Sequence, residues 1–136
     1  MKDKNSRTPT RDMHPSGIAK VLELFFAGNP NVEAAVLFDR SGEAVDYHSY
    51  IDPFEARLLA AHNGIIFGMT QYKLKWLEDA AVSMIEIETE KRIMITTPVI
   101  EDFYLIVSLT TMDINDNSDL TDTINGAVEA LCQEIG

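Results

Sequence analysis

The chain has 136 residues, 46% of them hydrophobic, which suffices for one domain with an ordinary buried core and no disulfide or metal staples. Its 22 acidic residues outnumber 11 basic ones, giving a formal net charge of -11, and four of the basic residues (Lys2, Lys4, Arg7 and Arg11) lie in the first thirteen positions. The remainder is therefore more acidic still, and such a surface argues against nucleic acid and anionic membranes as partners while leaving basic protein surfaces attractive.

Residues 1–16 are polar, carry Pro9 and Pro15 and show no apolar periodicity, so they read as a disordered tail ahead of a single domain over 17–136. The tail lacks the apolar stretch of a secretory signal, and no apolar run in the chain is long enough to span a membrane, which makes the cytoplasm the expected compartment. Ile18, Val21, Leu22 and Phe25 fall at helical spacing between Gly17 and Ala27, and Gly28-Asn29-Pro30 ends that helix. Val32 to Asp39 and Glu43 to His48 are strand-like runs joined by the turn Asp39-Arg40-Ser41-Gly42. Asp52-Pro53-Phe54-Glu55 then opens a helix, with an aspartate cap, a proline at the first helical position and a glutamate placed for a capping box; the helix is expected to reach about Leu77. Ala81 to Thr89, Lys91 to Val99 and Phe103 to Thr110 read as a three-strand meander. After the loop Asp113-Ile114-Asn115-Asp116-Asn117, Ser118 can cap a last helix whose apolar positions are Ile124, Val128, Leu131 and Ile135. Cys132 in that helix cannot pair within the chain and reads as a small buried hydrophobe.

The element order αββαβββα predicts an α+β fold. Val32 to Phe38 and Phe103 to Leu109 are apolar on both alternating faces and need cover on both sides, whereas Glu43, Asp46 and His48 in the second strand, and Glu86 and Glu88 in the third, mark sheet edges. The expected structure is a three-layer sandwich: a five-stranded, mainly antiparallel sheet of order 2-1-5-4-3, with the long helix on one face and two helices on the other.

The long helix carries more apolar surface than one sheet face can bury. Phe54, Leu58, Ala61, Ile65, Met69, Tyr72 and Trp76 make one stripe, the one expected to face the core; Leu59, Ile66 and Leu77 make a second. Gly64 and Gly68, with Ala60 nearby, cost about 1 kcal/mol per glycine in a helix interior relative to alanine, so a close approach by another backbone should compensate. That backbone is either the chain's own sheet or the same helix in a second copy. The strand from Ala81 to Thr89 adds an open edge that invites pairing between molecules. A two-fold homodimer is therefore expected, with Leu59, Ala60, Gly64, Ile66, Gly68, Leu77, Met84, Ile85, Glu86 and Ile87 as candidate dimer or partner interface.

No catalytic constellation is visible. His14, His48 and His62 have no ligand spacing, and the loop from Asp113 fails as a calcium loop because Ser118 replaces the glycine and Ile124 the bidentate glutamate. No phosphate-binding glycine loop, nucleophile elbow or C-x-x-C pair occurs, so the chain is not expected to be an enzyme and no cofactor or metal is implied. A small-ligand sensor is a further alternative, but it would need a polar-lined cavity where the central strands are filled with Val, Leu, Ile and Phe.

The run Val32-Glu33-Ala34-Ala35-Val36-Leu37-Phe38-Asp39-Arg40-Ser41-Gly42, the long alanine- and glycine-bearing helix, Ile85-Glu86-Ile87-Glu88 and Phe103-Tyr104-Leu105-Ile106-Val107-Ser108-Leu109 resemble the Roadblock/dynein light chain family over residues 17–136. The resemblance implies a homodimer or heterodimer in which the third strands pair into one sheet and the long helices pack together. It also implies a non-enzymatic regulator or scaffold of the bacterial type, which binds a small Ras-like GTPase and modulates its nucleotide cycle without supplying a catalytic arginine. Arg40, Arg57 and Arg92 are accordingly expected to be surface residues. The other reading open to the family is a structural dimeric adaptor that tethers larger assemblies, as dynein light chains do.

Overall fold

A computed structural model describes residues 10, 11, 17–78, 81–110 and 117–136. The elements in chain order are β1 (Thr10–Arg11), α1 (Gly17–Ala27), β2 (Val32–Asp39), β3 (Ala44–Ser49), α2 (Pro53–Leu74), β4 (Ile85–Glu88), β5 (Arg92–Pro98), β6 (Phe103–Thr110) and α3 (Asn117–Ile135). They build one antiparallel sheet in the order β1-β3-β2-β6-β5-β4. This is the expected order 2-1-5-4-3 with one strand added. Thr10 and Arg11, assigned above to a disordered tail, pair with Ser49 and His48 on the outer side of β3; the rest of that tail lies outside the described residues.

β3 and β5 shift by one residue at their ends from the expected bounds, and three boundaries differ by more. α2 ends at Leu74, and Lys75 to Leu77 form turns beyond it. β4 is four residues long because 81–84 run irregularly, the Val82 amide donating to Gln71 Oε1 (2.9 Å) and the Thr97 hydroxyl to the Ser83 carbonyl (3.0 Å). α3 begins at Asn117, which puts Ser118 inside the helix; most of the loop before it is outside the described residues.

Both central strands are buried on two sides, as their sequences require. On one face, Ala35 and Leu37 of β2, Ile93 and Ile95 of β5, and Leu105, Val107 and Leu109 of β6 pack against Leu22, Phe25 and Phe26 of α1 and Ile124, Ala127 and Leu131 of α3. On the other, Val36, Phe38, Tyr47 and Ile106 pack against Ala56 and Ala60 of α2. Asp46 and His48, read above as marks of an edge, are buried, and β1 covers the end of their strand. Cys132 is half-buried, its thiol 3.2 Å from the Val99 carbonyl.

Two local devices hold α2 in place. Asp52 and Pro53 open the helix as expected, Asp52 Oδ1 accepting from the Phe54 amide (2.8 Å) rather than from the Glu55 amide that a capping box would use. The second is the β2–β3 turn. Asp39 Oδ1 accepts from the Ser41 amide (2.9 Å), the Ser41 hydroxyl (2.6 Å) and the Glu43 amide (3.1 Å), while Gly42 takes a positive φ of 86°. A side chain on Gly42 would also meet the Ala61 backbone at 3.1 Å, and one on Gly64 would meet Gly42 Cα and the Phe38 ring, each at 3.2 Å. The backbone that compensates for Gly64 is thus the chain's own hairpin.

Asp39→Ala should lower stability by about 1–2 kcal/mol in urea unfolding, since it strips three donors of their shared acceptor. The hydroxyl of Ser41, then the turn amides, hold the Asp39 carboxyl below its ordinary pKa. A lowered carboxylate pKa stabilises above the unfolded value and loses that contribution as pH falls through the folded value. The gap between wild type and Asp39→Asn should accordingly be full at neutral pH and shrink in acid. Gly64→Val should cost about 1–3 kcal/mol by overpacking. Gly68→Ala, where no atom lies within 4 Å, should gain up to about 1 kcal/mol of helix propensity in the isolated protomer.

Candidate functional site

Apolar residues occur all round α2, so polarity alone does not choose its buried side; size does. Ala56, Ala60, Asn63 and Phe67 face the sheet. The small residues let the helix lie close to the hairpin, and Asn63 is satisfied where it is buried, its amide donating to the Leu59 carbonyl at 2.8 Å and lying 3.6 Å from Met94 Sδ. The stripe expected to face the core points to solvent instead: Phe54 is 67% exposed, Ile65 61%, Tyr72 64% and Trp76 77%, with Leu58 and Met69 also exposed. Eight of the eleven large hydrophobic residues exposed among those described fall between Phe54 and Leu77. Scattered exposed apolar residues are ordinary, but a continuous row along one helix marks an interaction surface.

The sheet beneath is covered unevenly. α2 packs on β2, β3 and β6 and touches β5 at Met94, so among the described residues no helix lies over the β5–β4 half of this face. Met94, Ile85 and Ile87 lie there half-buried. Between α2 and β5 runs an open groove of about 420 Å³ whose lining includes Leu58, Leu59, His62, Ile66, Arg92 and Met94. On this same face a bulge in β2 between Val32 and Ala34 turns Glu33 toward β6 and β5; Ser108 Oγ donates to Glu33 Oε1 (2.8 Å) and Arg92 Nε lies 3.3 Å from it. Arg92, expected as a plain surface residue, is thus mostly covered and paired, while Arg40 is exposed and only 3.8 Å from an equally open Asp102. Arg57, likewise exposed, sits 5.7 Å from the centre of the Tyr47 ring. At the sheet margin, β4 has β5 as its neighbour on one side and no strand on the other among the described residues.

The candidate interface residues divide accordingly. Leu59, Ile66, Ile85 and Ile87 share one side of the sheet, around the groove and the bare strands. Leu77 is exposed just past the end of α2. Ala60 is core, and Gly64 is packed on the hairpin, so neither is free to meet a second chain. Gly68 is exposed on the Gly64 flank, about 160° round the helix from Ile66 at 100° per residue. Met84 packs on the α1 and α3 side of the sheet, and Glu86 is exposed on that side too, paired across from Ile95. Sequence reasoning missed Met94 and Arg92 as groove residues. The available signal was the alternation of Arg92, Met94 and Thr96 with Ile93, Ile95 and Thr97, which puts a second, partly polar set on the α2 side.

Among the described residues no three His, Cys, Asp or Glu side chains gather where they could hold a metal ion, and no helix is long and apolar enough to cross a membrane. The arrangement can offer a contact surface: an apolar helix ridge, a groove at its foot and an unpaired strand edge.

Solved structures with this fold include the gliding protein MglB from Thermus thermophilus, with a TM-score of 0.76 at 18% identity, covering 93% of this chain and 96% of that one. A structure described as MglB with tetrameric arrangement gives 0.76 at 18% identity over 93% and 95% of the two chains. A Roadblock/LC7 domain from Streptomyces avermitilis gives 0.74 at 17% identity over 83% and 92%. Comparison with curated protein sequences yields no match. Residues 18–109 match the model of the Roadblock/LC7 domain, and the chain belongs to that family.

Proposed function

We propose that this protein is a non-enzymatic, dimeric regulator that binds a small Ras-like GTPase in the cytoplasm and modulates its nucleotide cycle. The observation that carries the reading is the apolar ridge of α2, which its own sheet leaves in solvent. Two surfaces need partners, and they differ in kind. The flank with Leu59 and Ile66, the half-buried Ile85 and Ile87 and the open edge of β4 suit a second copy, because a two-fold axis beside β4 would join two sheets edge to edge and lay one α2 beside the other. The outward row of Phe54, Ile65, Tyr72 and Trp76 would remain in solvent in such a dimer, doubled across the axis, and it offers the large aromatic anchors on which protein interfaces depend. Family membership and the likeness to MglB support this assignment, and any chemistry would belong to the partner's nucleotide site.

Light scattering at micromolar concentration should give twice the chain mass for the wild type and the single mass for Ile66→Glu combined with Ile87→Glu; a wild-type monomer would remove the dimer from the proposal. With a co-encoded GTPase as bait, Tyr72→Ala and Trp76→Ala should each weaken capture about tenfold or more while leaving the mass unchanged. Preference for the GTP-analogue form over the GDP form, together with an altered hydrolysis rate, is the expected result. Equal binding in both states and an unaltered rate would instead identify a structural adaptor.

A further inference from the structure

The net charge of the whole chain favours basic partners, but the helix that presents the apolar ridge departs from it. Residues 53–77 carry Glu55 against Arg57, Lys73 and Lys75, a net of +2; with the whole chain at -11, all other residues together carry -13. On the opposite face of the sheet α3 exposes Asp122, Glu129 and Glu134, and its sequence holds no basic residue. The two faces therefore differ in sign, and the positive one is the apolar one.

The cations on and just past α2 are exposed and have no carboxylate of their own. Arg92 and Arg40 lie 3.3 and 3.8 Å from a carboxylate, whereas among the described residues Arg57, Lys73 and Lys75 form no ion pair. Two of them meet aromatic rings instead: Arg57 Cζ lies 5.7 Å from the centre of the Tyr47 ring, and Lys75 Nζ 4.1 Å from that of Tyr72. At 100° per residue Arg57 and Lys75 fall at the same angle, so they stand on one side of the ridge, about 27 Å apart at the helical rise. At the Arg57 end, between α2 and the β2–β3 hairpin, is a recess of about 550 Å³ whose walls include Gly42, Glu43, Tyr47, Phe54 and Leu58. Exposed ion pairs add little at equilibrium, so free cations bordering aromatic anchors act chiefly on the approach and orientation of a partner.

We propose that the α2 ridge takes an acidic protein surface: carboxylates of the partner meet Arg57 and Lys75 at the two ends of an apolar patch that covers Phe54, Ile65, Tyr72 and Trp76, while the acidic faces elsewhere turn the same partner away. The inference rests on the reading of the ridge as a docking surface and adds the chemistry of what docks there, which is opposite to the one that whole-chain charge suggests. An anionic bilayer shares the sign of such a partner but would approach as a broad charged plane, which a body of -13 repels.

The test is stopped-flow association with the co-encoded GTPase, comparing the wild type with Arg57→Glu, Lys75→Glu, the two together, and Lys20→Glu, all with native far-ultraviolet dichroism and wild-type mass. Lys20 is exposed on α1, on the other face, and its reversal changes the net charge as much as Lys75→Glu does. Each reversal beside the ridge should slow association about threefold at low ionic strength, and the pair about tenfold or more, with the differences shrinking at high salt. Lys20→Glu should leave the rate within about twofold of wild type. Equal slowing by Lys20→Glu and Lys75→Glu, or slowing by neither, would overturn the proposal; if Tyr72→Ala still weakened capture, the ridge would remain a docking surface for a partner of other chemistry. Capture unaffected by Tyr72→Ala and Trp76→Ala would instead remove the ridge itself. Sedimentation with phosphatidylserine vesicles that Lys75→Glu abolishes, beside unchanged association with the GTPase, would assign the ridge to a membrane and overturn the proposal.

Discussion

The contact between α2 and the β2–β3 hairpin sets the rest of the architecture. Gly64 lies against Gly42 and the Phe38 ring, and Ala61 against the backbone of Gly42, with Ala56 and Ala60 fully buried beneath the same helix. Along the stretch from Ala56 to Gly64 a helix brought this close leaves room beneath it for small side chains, and the one large aromatic on the buried side, Phe67, comes after it, against Tyr104. Phe54, Leu58, Ile65, Met69 and Tyr72 are therefore carried to the outside as a geometric result of what sits underneath, and the exposed apolar surface of the helix is the complement of the surface that makes it fold.

The second constraint is width. One helix about 33 Å long and about 10 Å across covers two or three strands of a sheet whose neighbours are about 4.8 Å apart. α2 sits over β3, β2 and β6, and β5 and β4 extend beyond it. On the opposite face two helices share the load and the core runs from β2 through β6 to β5. The molecule is in this sense finished on one face and unfinished on the other, which is why its groove, its bare isoleucines and its open strand all occur together.

Much of the fold could be read from residue patterns because those patterns act locally. The Asp39 to Gly42 turn, the Asp52-Pro53 start and the doubly apolar runs of β2 and β6 each specify their own conformation, and the sheet order followed from which strands needed two covers. The rotation of α2 was not legible. With apolar side chains on every side, polarity gave no vote, and the deciding factor was the closeness of Gly42, which belongs to another element. β1 was invisible for a different reason: a strand held by two backbone pairs needs no side-chain period, and Thr10-Arg11 shows none. Of the candidate interface residues, Leu59, Ile66, Ile85 and Ile87 were chosen for excess apolarity and lie on one side of the sheet, while Ala60 and Gly64 pack within the chain, because smallness serves intrachain and interchain contacts equally well.

The packing of α2 also divides the helix by the kind of substitution each position tolerates. At 56, 60 and 64 the limit is volume, so serine is a milder change than leucine even though leucine is the more apolar. At 54, 65 and 72 volume is free and identity is answerable only to whatever docks there. Two histories of variation are thus interleaved at three- and four-residue intervals along one helix: related chains that keep the same fold but change partners should hold the first set nearly constant while the second drifts, and the pattern of change along α2 would record a change of partner without any change of shape.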